Sequence, residues 1–228
     1  MKELETLLEF YDKIVFFDTE TTGLDPVKNE IIEIAALSYT TESCEVIDHF
    51  VKPDKLAALP PKIVELTGIT DQMIKDEGIT QEEAAELFAG FIRGQRVLLI
   101  AHNANFDLCF VRGWLRGKAL PEKLDFLDTL TVYKDRRSYP HKLSNAVDNY
   151  GLSDKVQNTH RAIDDVWALA EVTKAMSAER DDLYKYINLF GYNSKYGYPP
   201  NTIRRVRYKA QSFHNAMTTT RTALYAVD

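Results

Sequence analysis

A run of four apolar residues ends in an acidic pair within the segment Ile14–Gly23, which reads IVFFDTETTG. Short apolar runs of β-branched and aromatic residues are typical of strands buried on both faces. Side chains two apart on a strand share a face, so we expect Asp18 and Glu20 to project together at or just past the strand's end. Adjacent carboxylates repel each other unless a cation lies between them, and hard divalent cations prefer oxygen ligands. The stretch is therefore either a metal site or an acidic strand end that leads into a solvated turn. The residues expected to form that turn, with backbone N–H groups able to face an anion, are Thr19, Thr21, Thr22 and Gly23.

The rest of the chain alternates between strand and helix patterns. Further strands are predicted over residues 30–39, 44–51, 97–101 and 126–129, and the first three strands are joined by connections short enough for an antiparallel meander. Helices are predicted over residues 62–67, 81–93, 143–150 and 162–175, and after the strands that end near 101 and 129. This order predicts an α/β fold of the ribonuclease H-like architecture, with a central mixed five-stranded sheet flanked by helices.

A second group of polar residues follows the predicted strand 97–101, in the sequence HNANFD over residues 102–107. Ligands of α/β sheets usually bind at the ends of strands. Asp107 lies in the first turn of the next helix, where the helix dipole favours an acid by about 0.3–1 kcal/mol. Asp107 is therefore either a functional group or a helix-stabilising one. Phe106 is either a core residue or a stacking face for a base.

A third group is His160-Arg161-Ala162-Ile163-Asp164-Asp165, at the start of the helix predicted over residues 162–175. A histidine beside a carboxylate-bound metal can act as a general base on water, whereas a lone histidine in a loop is usually an ordinary surface residue. Spacing of four along a helix favours Asp164 as the partner of His160. Asp165 precedes the core-spaced Val166, so the pattern leaves both acids open.

Composition limits the class of protein. The chain has 228 residues, of which 45% are hydrophobic, and no stretch of 18 apolar residues that would span a membrane. The N-terminal thirteen residues are polar and do not resemble a secretory signal. Cys44 and Cys109 both lie in apolar-patterned segments, so we expect buried free thiols in a reducing cytoplasm.

Charge divides the chain into an acidic body and a basic tail. Residues 184–228 contain seven lysines and arginines and one acid, a net charge of +6, which leaves −12 on residues 1–183 from the overall −6. Seven of the twelve tyrosines also lie in the tail. We therefore predict a catalytic domain over 1–183 and a basic, tyrosine-rich extension over 184–228. The extension either binds single-stranded nucleic acid, with Arg204, Arg205, Arg207 and Lys209 as phosphate contacts, or packs on the acidic body.

The three motifs together resemble those of the DnaQ-like family of 3′–5′ exonucleases, in the DEDDh branch that includes the proofreading epsilon subunit of bacterial DNA polymerase III. The first motif of that family, D-x-E-T-T-G, is matched by Asp18–Gly23. The second, H-N-A-x-F-D, is matched by His102–Asp107, and the third, H-x4-D, by His160 and Asp165. The resemblance spans roughly residues 12–177 and fades in the tail.

The resemblance implies a role for each matched residue. Asp18, Glu20 and Asp165 would bind metal directly, Asp107 would complete a second metal site, and His160 would be the general base. Asp165 is thereby selected over Asp164. The implied cofactors are two Mg²⁺ ions, for which Mn²⁺ can substitute. The residues implied around the terminal nucleotide are Thr19, Thr21, Thr22, Gly23, Leu24, His102, Asn103, Asn105 and Phe106.

The implied activity is the metal-dependent release of nucleoside monophosphates from the 3′ end of DNA, at single strands and at frayed or mismatched ends. An RNA-trimming exoribonuclease and a non-catalytic, polymerase-associated nucleic-acid-binding module are the alternatives. A glycosidase would also use paired carboxylates, without a metal. The expected partners are the 3′ ends of single-stranded DNA or RNA and a replicative DNA polymerase, and the expected location is the cytoplasm.

Overall fold

A mixed five-stranded sheet forms the centre of the computed structural model, which describes residues 2–157, 159–211 and 223–226. Its strands, in the spatial order β3-β2-β1-β4-β5, are β1 (Lys13–Thr21), β2 (Ile31–Tyr39), β3 (Cys44–Phe50), β4 (Arg96–Ala101) and β5 (Lys123–Asp128). Strands β1, β2 and β3 pair antiparallel, whereas β4 pairs parallel with β1 and β5 pairs parallel with β4. The predicted fold class and the antiparallel arrangement of the first three strands are confirmed.

Helices cover both faces of the sheet. They are α1 (Glu5–Phe10), α2 (Pro61–Thr67), α3 (Asp71–Glu77), α4 (Gln81–Phe91), α5 (Ala104–Trp114), α6 (Thr129–Arg136), α7 (Leu143–Asn149) and α8 (Ala162–Glu179). The sequence pattern anticipated most of them but missed the short helices α1 and α3. Helix α4 begins with the capping box expected from its sequence, in which Thr80 and Glu83 exchange side-chain and backbone hydrogen bonds. Among the described residues, no helix combines the length and the apolar character that a bilayer crossing requires.

The side chains of β1 alternate between two cores. Ile14 and Phe16 pack with α8 on one face of the sheet, and Val15 and Phe17 pack with α4 and α5 on the other. All four side chains are fully buried. This burial on both faces explains the unbroken apolar run in the sequence.

Strand β1 is longer than the sequence analysis predicted. It continues through the acidic pair to Thr21, so Asp18 and Glu20 lie within the strand and not at its end. Pairing with β2 over Ile14–Thr21 holds this extension in place, with one irregularity between Glu20 and Thr21. The predicted turn is therefore confined to the residues after Thr21.

The prediction of buried cysteines is wrong. Both thiols are free, but Cys44 is exposed and Cys109 is half-buried. Cys44 begins β3, which is an edge strand whose side chains are mostly exposed, so its alternating pattern does not indicate burial there.

The C-terminal segment packs against the sheet. Strands β6 (Leu189–Tyr192) and β7 (Arg207–Ala210) form a parallel pair, and Leu189 and Phe190 are buried in the two main cores. Asn188 joins β6 to β5, since its side chain accepts a hydrogen bond of 3.0 Å from the Phe126 N–H. For the described part of the extension, these contacts favour the packing alternative; the boundary predicted at 183/184 stays a prediction.

Two of the basic residues assigned to nucleic acid are engaged within the protein. Arg205 donates to the Leu124 carbonyl at 2.9 Å and lies 3.4 Å from the Asp125 carboxylate. Lys209 donates to the carbonyl of Leu224. Arg204 and Arg207 are exposed. The tail charges Arg221 and Asp228 lie outside the described residues.

The burial of Phe190 gives a test of this packing. Phe190→Ala should lower the free energy of unfolding by about 3–5 kcal/mol, because it leaves a cavity in the core. Tyr196→Ala, in the same segment but 79% exposed, should change it by no more than about 0.5 kcal/mol. Urea denaturation of both variants measures the difference; equal values would mean that the segment is not part of the folded body.

Candidate active site

The acidic part of β1 borders an open cleft because β1 runs past the end of its neighbour. Pairing with β4 covers only Lys13–Phe16, and β4 ends at Ala101. Beyond that point one side of β1 faces a cleft of about 960 Å³. That volume is near the upper end of the roughly 300–1,000 Å³ typical of ligand sites. Its lining includes all five residues predicted as catalytic, which are Asp18, Glu20, Asp107, His160 and Asp165.

Glu20, His160 and Asp165 lie close together, beside Asp18. Asp18 and Glu20 follow Phe16 at intervals of two, so they point to the face of the sheet that α8 covers. Asp165 lies in the first turn of α8 and is buried. One ligand atom each from Glu20, His160 and Asp165 lies within 4.8 Å of the others. This arrangement brings together groups that are far apart in the sequence.

Asp107 approaches the cleft from the opposite layer. It lies in the first turn of α5 and is buried. Thr19, whose side chain points away from those of Asp18 and Glu20, donates to Asp107 Oδ1 from its hydroxyl at 2.7 Å and from its backbone N–H at 3.2 Å. Thr19, proposed from the resemblance as a nucleotide contact, therefore orients a carboxylate in this structure.

The charges of the acidic cluster, defined as Asp18, Glu20, Asp107 and Asp165, oppose one another. Burial is the largest cause that raises the pKa of Asp18 well above its usual value, and the neighbouring carboxylates Asp107 and Asp165 raise it further. Burial and the charge of Asp165 raise the pKa of Glu20 to about 8. Burial also raises the pKa of Asp107 to about 7, although the hydrogen bonds from Thr19 act in the other direction. The positive charge of Arg161 opposes the rise at Glu20.

The donor set fits a divalent cation. Glu20, His160 and Asp165 offer ligand atoms that lie close together, and the charges of Asp107, Asp165 and Glu20 all raise the pKa of Asp18. Repulsion of this kind is relieved when a cation binds between the oxygens. Oxygen ligands with one imidazole nearby suit Mg²⁺ or Mn²⁺ better than a metal that prefers sulfur.

The structure distinguishes Asp165 from Asp164. Helix α8 begins at Ala162, and His160 lies before it with a backbone φ of +58°, so helical spacing from His160 does not apply. Asp165 lines the cleft, whereas the Asp164 carboxylate accepts a hydrogen bond of 2.5 Å from the Thr159 hydroxyl. The spacing argument that favoured Asp164 assumed that both residues were in one helix, which the structure does not show.

An ion pair joins β2 to the start of α8. Glu33 of β2 is fully buried, and its carboxylate accepts hydrogen bonds from the Arg161 guanidinium at 2.8 Å and from the Ala162 N–H at 2.9 Å. Glu33 also lies opposite Glu20 in the pairing of β1 with β2. The pair therefore anchors the residue after His160 and the first turn that carries Asp165. The sequence analysis missed Glu33, although a lone acid in the apolar strand IIEIAAL is the kind of signal that reveals a buried partner.

The turn after β1 is held by its own hydrogen bonds. The Thr21 hydroxyl donates to the Gly23 carbonyl at 2.8 Å, and Thr22 exchanges hydrogen bonds with the backbone of Glu30. A Cβ on Gly23 would lie 2.7 Å from the Asn29 side chain, so a close approach explains this glycine. The nucleotide contacts implied for these residues stay predictions.

The remaining residues implied around the nucleotide divide into two groups. Leu24, Phe106 and Asn103 line the cleft, and Leu24 is 85% exposed. His102 also lines it, but its ring nitrogens lie 3.0 Å from the Thr129 hydroxyl and 2.9 Å from the His141 carbonyl. Burial lowers the pKa of His102.

Asn105 is held by the C-terminal segment. Its amide nitrogen donates to the Asn201 carbonyl at 3.1 Å, and its amide oxygen accepts from the Tyr208 hydroxyl at 2.6 Å. Both ends of the side chain are therefore engaged away from the nucleotide position that the resemblance implied, and that contact stays a prediction.

Several cleft residues were not identified from the sequence. They include the lysines Lys134, Lys142 and Lys195 and the exposed aromatic residues Tyr139 and Tyr196. Lys134 lies in α6, whereas the positions of the other four depend on the loop before α7 and on the C-terminal segment, for which the chain offers no periodic pattern. The cleft thus combines an acidic cluster with basic and aromatic side chains.

Comparison with known proteins identifies the family. The model of the exonuclease family RNase_T matches residues 15–173. The chain belongs to this family. The resemblance to DnaQ-like exonucleases is confirmed by its similarity to the DNA polymerase III subunit epsilon of Treponema pallidum, with 34% identity over 71% of this chain and 75% of that protein.

Other relatives are much longer than this chain. The DNA polymerase III PolC-type of Caldanaerobacter subterraneus is 35% identical over 75% of this chain, which spans only 12% of that protein. Among solved structures, the fold is similar to that of E. coli exonuclease I in complex with a dA16 oligonucleotide, with a TM-score of 0.66 and 20% identity over 77% of this chain and 42% of the other.

The raised pKa values lead to a prediction about stability. Glu20 has a pKa of 4.5 when unperturbed and about 8 in the folded protein, so folding there favours the protonated form. The metal-free protein should therefore lose stability as the pH rises from about 4.5 to about 8. Glu20→Gln removes this loss. In EDTA, the melting temperature of the variant should match that of the wild type near pH 4.5 and exceed it at pH 8. The difference should be about 2–4 °C for each kcal/mol of unfolding free energy that the wild type has lost.

Thermal unfolding in EDTA across this pH range measures the effect. Glu45→Gln, at an exposed position on β3, is the matched control and should follow the wild type. In excess Mg²⁺ the order should reverse, because only the wild type keeps the full ligand set. A Glu20→Gln variant that is less stable than the wild type at pH 8 in EDTA would contradict the electrostatic description of the cluster.

The Glu33–Arg161 pair predicts an unequal effect of its two partners. The Arg161 side chain is 29% exposed and can turn to solvent when Glu33 is lost, whereas Glu33 is fully buried and cannot. Arg161→Met should therefore cost about 3–5 kcal/mol of unfolding free energy, and Glu33→Gln distinctly less. Urea denaturation at pH 7 measures both, and a larger cost for Glu33→Gln would show that the pair does not anchor α8 in this way.

Proposed function

We propose that this chain is a metal-dependent 3′–5′ exonuclease that releases nucleoside monophosphates from the 3′ end of DNA. The observation that carries the proposal is the convergence of Glu20, His160 and Asp165 within 4.8 Å, in a cleft that is also lined by the half-buried Asp18 and the buried Asp107. Membership of the exonuclease family supports the same reaction class. Because the chain spans only part of its longer relatives, the proposal concerns this segment itself.

The acidic cluster would hold two divalent cations, Mg²⁺ or, as a substitute, Mn²⁺. Such ions, when bound, neutralise the carboxylates, polarise the phosphate and lower the pKa of bound water. Asp18, Glu20 and Asp165 would be direct ligands, and Asp107, fixed by Thr19, would complete the second site. The pKa values raised by burial and repulsion mean that protons must leave these groups before a cation enters.

His160 would act as the general base. It is exposed in the cleft, on a backbone held by the neighbouring Glu33–Arg161 pair. A ring nitrogen of His160 would take the proton as the water oxygen forms its bond to phosphorus. The bond from phosphorus to the 3′ oxygen of the preceding nucleotide breaks, and that oxygen takes a proton from solvent.

DNA is the proposed substrate because the named relatives are DNA polymerase III proteins and the similar exonuclease I structure holds a DNA oligonucleotide. Single-stranded and frayed or mismatched 3′ ends are the proposed sites of cleavage, as the resemblance implies. A replicative polymerase is the proposed protein partner, on the same relatives, and the cytoplasm is the proposed location. RNA trimming is the alternative that a direct comparison of substrates decides.

The metal centre and the base can be tested together on labelled single strands. Asp18→Asn and Asp165→Asn should each reduce turnover in Mg²⁺ by well over tenfold, because each removes a charged ligand. Asp164→Asn is the matched control, since it changes the adjacent acid that contacts Thr159, and should be mild. His160→Ala should lose on the order of 10²–10⁴ in rate with little change in metal affinity.

The assay uses DNA and RNA of the same sequence, with and without EDTA. Loss of activity in EDTA separates the proposal from a metal-free glycosidase. Faster cleavage of RNA than of DNA would replace the substrate assignment, and wild-type protein that binds both without cleaving either would favour a non-catalytic module. Asp18→Asn turnover within tenfold of the wild type would overturn the two-metal assignment.

A further inference from the structure

A segment outside the family match forms part of the cleft. The match ends at residue 173, yet Asn193, Lys195 and Tyr196 line the same cleft as the acidic cluster. We call these three residues the C-terminal wall. Its position means that this chain completes its cleft with residues that the family motif does not include.

The wall rests on a firm support. Asn193 follows β6, and its side-chain oxygen accepts a hydrogen bond of 2.9 Å from the Lys195 N–H, which closes the turn. Behind it, the Tyr198 ring packs between Tyr192 at 5.2 Å and Tyr208 at 5.6 Å between centroids. Tyr208 is in turn tied to Asn105 of α5. The backbone of the wall is therefore fixed to the same helix that carries Asp107.

Lys195 and Tyr196 are the exposed residues of the wall. Tyr196 is 79% exposed, and the Lys195 ammonium lies 5.8 Å from the centre of its ring. A ring so exposed buries little of its surface within the protein. Together with the nearby cation, it suits a ligand that offers both a flat base and a phosphate, which is the chemistry of a single strand of nucleic acid.

The rest of the cleft has matching chemistry. Lys134 and Lys142 line it, together with Tyr139, which is 72% exposed, in a chain whose net charge is −6. Of the described basic residues further along the tail, Arg205 is paired with Asp125, and Arg204 does not line the cleft. The cleft that holds the acidic cluster thus also carries positive charge.

We propose that the C-terminal wall binds the nucleic-acid strand upstream of the terminal nucleotide, with Tyr196 stacking on a base and Lys195 contacting an internucleotide phosphate. This rests on the proposed function for the position of the 3′ end at the acidic cluster. A cleft near the upper size limit for small ligands has room for more than the nucleotide that is removed. The wall then contributes to the binding of longer strands and not to that of the mononucleotide product.

A binding experiment tests the wall without relying on cleavage. The ligand is a thymidine octanucleotide with hydrolysis-resistant phosphorothioate linkages, and fluorescence anisotropy in Mg²⁺ measures its Kd. Tyr196→Ala should raise the Kd about 5- to 150-fold, the range for loss of one stacked base, whereas Tyr196→Phe should stay within about twofold of the wild type. Lys195→Gln should reduce the slope of log Kd against log salt by about 0.7, the value for one phosphate contact on a single strand. Arg204→Gln, with the same loss of charge outside the cleft, should leave the slope unchanged.

Competition by thymidine 5′-monophosphate locates the contact. Its affinity should be the same in Tyr196→Ala and wild type, because it occupies only the terminal position. The proposed role of the wall is wrong if Tyr196→Ala leaves the affinity for the octanucleotide unchanged. It is also wrong if the variant loses affinity for the octanucleotide and the monophosphate equally. Wild-type protein that binds but never cleaves an unmodified strand would instead overturn the exonuclease proposal and leave the wall in place.

Discussion

The alternation of side chains along β1 is the constraint on which the rest of the site depends. Phe16 and Phe17 enter opposite cores, and this fixes the directions of the side chains that follow as far as Glu20. Asp18 and Glu20 must then face α8, and Thr19 must face α5, where it binds Asp107. A shift of one residue in the pairing with β2 would reverse all of these directions, so the same burial that stabilises the sheet also sets the geometry of the cluster.

The cluster is held together against its own repulsion. Carboxylates whose pKa values are raised by burial and by one another would separate if their supports allowed it. Thr19 and the Glu33–Arg161 pair oppose that separation from two sides of the sheet. Perturbed carboxylates of this kind are common at functional sites, because the folded protein tolerates a local cost that ligand binding later offsets.

Sequence reasoning reached the parts of the molecule that follow periodic patterns or short motifs. The apolar run of β1, the capping box at Thr80 and the three acidic motifs each act over a few residues, so their consequences are local. The extension of β1 through Glu20 could not be predicted, because its pairing with β2 is a tertiary contact that overrides the polar composition. The residue pattern alone left Asp164 and Asp165 open for a related reason: the positive φ of His160 places it outside the helix, and no residue type predicts that conformation. The position of the C-terminal wall could not be predicted either. Tyr196 lines the same cleft as the acids because of the way its segment folds, and that segment has no periodic sequence pattern.

The hydrogen bonds between the C-terminal segment and Asn105 affect how such a protein can diverge in evolution. Tyr208 and Asn201 hold a residue only two positions from Asp107, in the first turn of the same helix. Substitutions in this segment can therefore alter the surroundings of the acids without touching any of the three family motifs. Two homologues with identical motifs could differ in substrate preference through this attachment alone, and grafting the segment onto a related domain would transfer its effect only if the asparagine went with it.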